Sequence, residues 1–146
     1  MNTVTKFTRQ LQWVALSAVA VLLVACADMG TTGSIQVTLS GSQEVPPVTT
    51  AAAGSGNITV GADKSVSGNV TTSGLVGVAA HIHDAAPGKN GPVIVPLTKS
   101  SDNSWSVPAG AKFTDAQYEN YKAGNLYINV HTAANKGGEI RGQLKP

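Results

Sequence analysis

The sequence of 146 residues is poor in the groups that most often carry chemistry or bind nucleic acid. Its single cysteine, Cys26, excludes an intramolecular disulfide, so a folded domain must be held together by its core alone. Charged residues make up only 12% of the chain, and no basic run is interleaved with aromatic residues. Because binding to a phosphate backbone requires a basic face, we expect no nucleic-acid partner.

Motifs of hydrolytic enzymes and of phosphate-binding proteins are also missing. The chain has no Gly-x-Ser-x-Gly elbow, no glycine-rich phosphate loop and no pair of carboxylates marked out by spacing. The sequence therefore favours a non-enzymatic protein but does not decide whether the protein is an enzyme.

The one long apolar run lies near the N-terminus. Lys6 and Arg9 precede residues 13–25, a stretch with the length of a secretory h-region that is short for a membrane span. Residues 23–26, Leu-Val-Ala-Cys, resemble the lipobox of bacterial lipoproteins. The resemblance implies a signal peptide over residues 1–25, lipidation of Cys26 and a membrane anchor made of acyl chains.

Two alternatives for Cys26 stay open: a free thiol on an exported chain, or a chance residue inside an uncleaved membrane anchor. If the lipobox is used, Ala27 after the cysteine favours the outer membrane of the cell envelope, by analogy with enterobacterial sorting. The domain would then lie in the periplasm or at the cell surface. Loss of Lys6 and Arg9 would leave eight basic and eight acidic residues, a formal balance of zero.

A change of composition marks the start of the folded domain. Residues 26–33 begin with the lipidated Cys26 and predict a flexible tether, because Gly, Thr and Asp offer little to bury. From residue 34, alternating segments rich in Val, Ile and Thr predict an all-β domain over residues 34–146, a Greek-key-like antiparallel β-sandwich or barrel. The predicted strands cover residues 35–40, 54–60, 66–72, 75–83, 93–98, 104–107, 126–132 and 139–144.

One short helix is predicted over residues 115–123. Thr114 is suited to cap it, Gln117 stands at the capping-box position, and Gly124 can take the left-handed conformation at its end. The two tyrosines of the helix would lie on one side. We expect them to pack the helix over an open end of the β-structure, with an aromatic ligand platform as the alternative.

The three histidines, the only ones in the chain, fall in two predicted strands. His81 and His83 are two residues apart and share one face of their strand, because alternate side chains point the same way. His131 lies on the polar side of residues 127–132. Three neutral imidazoles suit copper or, less well, zinc, since copper binds more tightly at a nitrogen site of unconstrained geometry.

A metal site requires these rings to converge from adjacent strands. Imidazole nitrogens within about 3 to 4 Å of a common point would favour it, and histidines on separate faces would exclude it. Without an ion, the rings would instead bond to loop carbonyls and across the sheet. The face assignment places Val78, Ala80 and Ile82 on the opposite, apolar side of the strand.

Glu139 and Arg141 alternate on the last predicted strand and are candidate supporting residues. Glu139 would accept a hydrogen bond from a ligating imidazole, and Arg141 would attract an anion to an open coordination position. The alternative is a cross-strand ion pair at a sheet edge. Residues 87–92 form a turn directly after His83 and would make the rim of such a site.

Four motifs follow one another along the chain: residues 39–48, residues 80–83 with Gly88, Gly91 and Pro92, residues 123–124 with 127–132, and residues 138–144. Together they resemble the CHRD domain, a family named from chordin and common in secreted bacterial proteins. The resemblance implies a β-rich extracytoplasmic module and does not by itself name an activity.

The His-x-His strand also resembles the copper strand of Cu/Zn superoxide dismutases. That family supplies more histidines and a disulfide that one cysteine cannot make, so dismutase activity is not expected. Two functions are carried forward. We favour a non-enzymatic envelope module that binds a protein or glycan. The alternative is a copper or zinc protein that uses His81, His83 and His131 in metal or oxidative stress handling.

Overall fold

The computed structural model describes residues 33–146, so the predicted signal peptide, the lipidation of Cys26 and the tether up to residue 32 lie outside the described residues. Within residues 33–146, no helix is both long and apolar enough to cross a membrane. The same residues form nine strands, one short 3-10 turn and one helix. They are β1 Ser34–Ser40, the turn Gly41–Gln43, β2 Ala53–Val60, β3 Val66–Ser73, β4 Gly77–Asp84, β5 Val93–Pro96, β6 Thr98–Ser101, β7 Ser104–Ser106, α1 Asp115–Lys122, β8 Leu126–Thr132 and β9 Ile140–Leu144.

The strands form one antiparallel sheet in the order β5-β4-β8-β9-β1-β2-β3-β7-β6. Its two outermost strands are consecutive in the chain and are separated only by Leu97, whose N–H donates to the carbonyl oxygen of Ala80 on β4. The chain therefore passes from one edge of the sheet to the other and nearly closes it into a barrel. The all-β prediction with one helix is confirmed, and of the two predicted architectures the molecule is barrel-like.

The strand predicted over residues 93–98 is in fact divided between β5 and β6, because its two halves pair with different neighbours. β5 pairs with β4, whereas β6 pairs with β7. An alternating pattern does not reveal such a division, since both halves keep the same period. The strand predicted from residue 75 begins at Gly77, and Glu139 precedes β9.

Alternate apolar side chains of the strands fill the inside of the barrel, as the sequence pattern predicts. The packing is tight at β9, where a Cβ atom on Gly142 would lie 2.6 Å from the carbonyl oxygen of Thr38. The polar residues between the apolar ones point outward, which puts the polar side of β4, β8 and β9 on the outer face. The fully buried apolar residues are Leu39, Ile58, Val70, Ile82, Leu126, Ile128, Val130, Ile140 and Leu144.

Helix α1 packs against the core through its tyrosines. Tyr121 is buried, and the ring of Tyr118 stacks on it with a centroid distance of 6.0 Å. Asn120 donates to the carboxylate of Asp84 at 2.9 Å and so joins the helix to β4. The packing role predicted for the tyrosines is confirmed, and the helix ends one residue earlier than predicted.

The predicted capping box of α1 is formed. Thr114 Oγ1 accepts from the Gln117 N–H at 3.3 Å, and Gln117 Oε1 accepts from the Thr114 N–H at 2.9 Å. Thr114→Ala is expected to lower the free energy of unfolding by about 1 kcal/mol, because one orphan N–H loses its acceptor. Chemical denaturation measures the change, with the exposed Thr49→Ala as control. A loss no larger than that of the control would contradict the prediction.

Candidate metal centre

The three histidines lie on the outer face of two neighbouring strands, β4 and β8. The antiparallel register places His81 directly opposite Asn129, and His131 opposite Ala79. His83 is the next outward residue along β4, and His131 is the next outward residue along β8 from Asn129. The three rings therefore surround one point on the sheet, as residues that are opposite, diagonal or two apart do.

The side assignments made from the sequence are correct at two of three apolar positions of β4. Ala80 and Ile82 face the core and are buried. The assignment of Val78 to the apolar side is wrong, since its side chain is 59% exposed. The reason is a register shift between Gly77 and Ala79, which interrupts the alternation at the start of the strand.

The structure brings the histidine nitrogens together. One nitrogen from each of His81, His83 and His131 lies within 4.8 Å of the other two. Three atoms with that spacing lie within about 3 Å of a common point, which satisfies the convergence criterion stated for a metal site. The closest pair is His81 Nδ1 and His131 Nε2, which form a hydrogen bond of 3.0 Å across the two strands, as expected for rings without an ion.

Backbone carbonyls orient two of the rings. His83 Nδ1 lies 2.9 Å from the carbonyl oxygen of Gly91, and His131 Nδ1 lies 2.9 Å from that of Lys136. Since a carbonyl oxygen only accepts, Nδ1 carries the proton in both rings. Nε2 of each ring then carries the lone pair, as in metal-binding histidines: that of His131 accepts from His81 Nδ1, and that of His83 is buried without a hydrogen bond within residues 33–146.

The electrostatics of the cluster disfavour protonation. Burial lowers the pKa of His81 to about 4, with additional repulsion from His131 and His83. Burial also lowers the pKa of His83, although hydrogen bonds to Gly91 and Asn129 act in the opposite direction. Both rings are therefore neutral at pH 7, the protonation state that a metal ion requires.

His83 also belongs to a stack of three side chains from three neighbouring strands, with Tyr127 of β8 and Arg141 of β9. The Tyr127 ring stacks on the His83 ring with a centroid distance of 4.7 Å and an interplanar angle of 4°. The guanidinium carbon of Arg141 lies 3.4 Å from the centroid of the Tyr127 ring. This cation–π and stacking arrangement holds the plane of the His83 ring in place.

The structure does not support the predicted role of Arg141, which was to attract an anion to an open coordination position. It is only 1% exposed and donates to the carbonyl oxygen of Lys89, to Asn90 Oδ1 and to Gln143 Oε1. A guanidinium covered in this way is not directed at an open coordination position. Its bonds instead tie the predicted rim, residues 87–92, to β9, and Gly91 of the same rim holds His83.

Glu139 is also placed differently from the prediction. Its carboxylate accepts from Thr50 Oγ1 at 2.7 Å, Thr132 Oγ1 at 2.8 Å and Asn135 Nδ2 at 2.7 Å, and these bonds lower its pKa. These partners replace the predicted imidazole. The alternative for the two residues, a cross-strand ion pair at a sheet edge, is not found among residues 33–146: β9 lies inside the sheet between β8 and β1, and neither residue makes a salt bridge.

Two buried polar residues next to the histidines were not identified from the sequence. Asn129 is 2% exposed and Glu44 is 4% exposed. Burial raises the pKa of Glu44 to about 7, even though the charge of Arg141 and hydrogen bonds from Val45 and Asn129 lower it. Asn129 could have been predicted, because it lies two residues from His131 on the same strand and therefore shares its face. No sequence pattern places Glu44, in the loop after β1, beside β8.

Comparisons with known proteins support the resemblance seen in the motifs. Neither the comparison with curated proteins nor the comparison with solved structures found a match. The family described as CHRD domain matches residues 7–144. Because the match spans nearly the whole chain, the protein belongs to the CHRD domain family.

Proposed function

We propose that this CHRD domain binds a transition-metal ion through His81, His83 and His131, with Cu(II) preferred to Zn(II). The observation that carries the proposal is the convergence of the three imidazoles within 4.8 Å of one another. In a tetragonal arrangement, metal–nitrogen bonds of about 2.0 to 2.1 Å place ligating nitrogens roughly 2.9 Å apart at 90° and roughly 4.1 Å apart at 180°. The largest separation allowed by the 4.8 Å limit must therefore close by roughly 1 to 2 Å, which requires rotation of the side chains.

The state of the rings supports the same proposal. Two rings carry the proton on Nδ1, where a backbone carbonyl accepts it, and the pKa of His81 and that of His83 are lowered. His83 therefore offers an Nε2 lone pair in a ring that is already oriented, whereas an ion must displace the hydrogen bond that His81 Nδ1 donates to His131 Nε2. His81 and His131 remain partly exposed, which leaves a path for the ion.

The covering of the polar face favours a small ligand. Loops bury Tyr127, Asn129 and Arg141, which belong to the face that the envelope-module hypothesis offered to a partner. A macromolecule has little access to these side chains, whereas an ion needs only the gap between the rings. Binding to an envelope protein or glycan stays a prediction, as does a non-enzymatic role.

The setting of the proposed site rests on the N-terminal sequence. The lipobox-like residues 23–26 support an envelope lipoprotein anchored in the membrane through Cys26, with the outer membrane favoured. In that compartment a copper site fits storage, resistance or oxidative stress handling. A dismutase reaction is not proposed, because the chain has three histidines and one cysteine.

Metal titration of the full-length chain carrying Cys26→Ser tests the proposal, since the substitution removes the only thiol. We expect stoichiometric Cu(II) binding and a visible spectral signal. At a free concentration 100 times Kd, binding stabilises by about 2.7 kcal/mol and raises Tm by roughly 10 °C. Zn(II) should bind more weakly.

His83→Gln is the informative variant, because its amide can still donate to the Gly91 carbonyl while it lacks the imidazole. We expect it to weaken Cu(II) binding at least about 100-fold, as for loss of one of three ligands. Asn69→Ala, at an exposed position on β3, is the control. An unchanged Tm and no saturable signal in the parent chain would refute the proposed function.

A further inference from the structure

Asn129 occupies the centre of the histidine cluster. It pairs directly with His81 across the β4–β8 ladder and lies two residues from His131 on the same face of β8. Its side chain also lies beside His83. With 2% of its surface exposed, Asn129 is the most buried member of this group of four.

The contacts of the amide determine which way it points. Asn129 Nδ2 donates to the carbonyl oxygen of Gly137 at 3.3 Å. A Cβ atom on Gly138 would lie 2.2 Å from Glu44 Oε1 and 2.7 Å from Asn129 Nδ2, so the glycine leaves room for these two groups. The carbonyl oxygen of Gly137 can only accept, which assigns the NH₂ group to that side.

The amide oxygen is left without a partner. Asn129 Oδ1 is buried and makes no hydrogen bond within residues 33–146, and the same is true of His83 Nε2. With its NH₂ group on the Gly137 side, Asn129 presents Oδ1 as an acceptor, and His83 with its proton on Nδ1 presents Nε2 as an acceptor. Two buried acceptors on neighbouring strands are therefore left unpaired.

A neutral His83 cannot satisfy both of its neighbours. Its ring carries one N–H, and the carbonyl oxygen of Gly91 already takes it at Nδ1. Moving the proton to Nε2 would supply Asn129 Oδ1 but would leave Gly91 facing a lone pair. Leaving a buried acceptor unpaired is costly, and a cation between Nε2 and Oδ1 satisfies both atoms with the proton kept on Nδ1.

We propose that Asn129 Oδ1 is the fourth ligand of the metal site and completes a set of three nitrogens and one oxygen. This inference rests on the proposed function. A mixed set of nitrogen and oxygen ligands in a tetragonal arrangement is typical of Cu(II). Gly137 is then a positioning residue, since its carbonyl oxygen holds the NH₂ group and leaves the amide oxygen available to the ion.

The test compares Cu(II) binding by the full-length Cys26→Ser chain with and without Asn129→Ala, followed by calorimetry and electron paramagnetic resonance. We expect Asn129→Ala to weaken binding about 10- to 100-fold. The parallel g value should shift, and the splitting from three nitrogens should persist. Asn120→Ala is the matched control, since its amide also bonds to β4 but through Asp84, away from the cluster.

A second measurement needs no variant and therefore does not depend on folding. In the parent chain labelled with [¹³C]asparagine, electron–nuclear double resonance should detect a strongly coupled amide carbon. Absence of that coupling, or unchanged affinity and g value in Asn129→Ala, would overturn the fourth ligand while leaving the three-histidine site intact. Absence of Cu(II) binding in the parent chain would instead refute the proposed function.

Discussion

Arg141→Met is expected to lower the free energy of unfolding by about 3 to 4 kcal/mol, which corresponds to a fall in Tm of roughly 10 to 20 °C. The guanidinium is 1% exposed and donates to Lys89, Asn90 and Gln143. Methionine fills most of the volume but leaves these acceptors without their donor. The loss also loosens residues 87–92, which this arginine ties to β9.

Arg141→Lys should recover part of the loss, because lysine keeps the charge but lacks the planar fork that bonds to several acceptors and stacks on Tyr127. Trp105, buried in the core, reports unfolding by fluorescence. Lys112→Met is the control, since its exposed contact with Asp63 is worth at most about 1 kcal/mol. If Arg141→Met cost no more than this control, desolvation of the guanidinium would offset its contacts.

Glu44→Gln is expected to stabilise the protein above pH 7 by up to about 3 kcal/mol and to leave it nearly unchanged below pH 4.5. The pKa of Glu44 is raised from 4.5 to about 7 by burial. The folded state therefore holds a proton that the unfolded state releases between these values. As pH rises through this window, release of that proton by the unfolded state lowers the free energy of unfolding, and glutamine, which does not titrate, avoids the loss.

The stability of the parent protein alone does not isolate Glu44. The pKa of His81 and that of His83 are lowered, so these rings make the folded state more stable as pH rises through much of the same window. The difference between the parent and Glu44→Gln, measured by chemical denaturation from pH 4 to pH 8, removes their contribution. An exposed carboxylate variant, Glu119→Gln, serves as control. A difference that did not grow with pH would contradict the prediction.

Much of the metal-centre candidate could be predicted from the sequence. His81 and His83 are two residues apart on a strand, and a period of two places them on one face whatever the rest of the chain does. The same period places Asn129 on the same face of β8 as His131, so its position could also have been predicted from the motif. Helix α1 was predictable for a similar reason, because Thr114 and Gln117 bond only within the first turn.

The roles of Glu139 and Arg141 could not be predicted in this way. Some of their partners are near in the sequence, but Thr50, which bonds to Glu139, and Lys89 and Asn90, which bond to Arg141, lie far away in it. The exposure of Val78 depends on a register shift that no local sequence pattern predicts. Closure of the barrel at Leu97 likewise depends on which strands become neighbours.

The sequence by itself determined the β-class of the domain, the short helix and the two-faced strands, because these follow from steric preferences between residues near one another in the chain. The tertiary structure alone decided that β4 and β8 are neighbours in a register that gathers three imidazoles around one amide. It also decided that loops cover Arg141 and Glu44. Strand register and loop burial arise from contacts between distant segments, whose balance of packing and desolvation is not encoded in any local pattern.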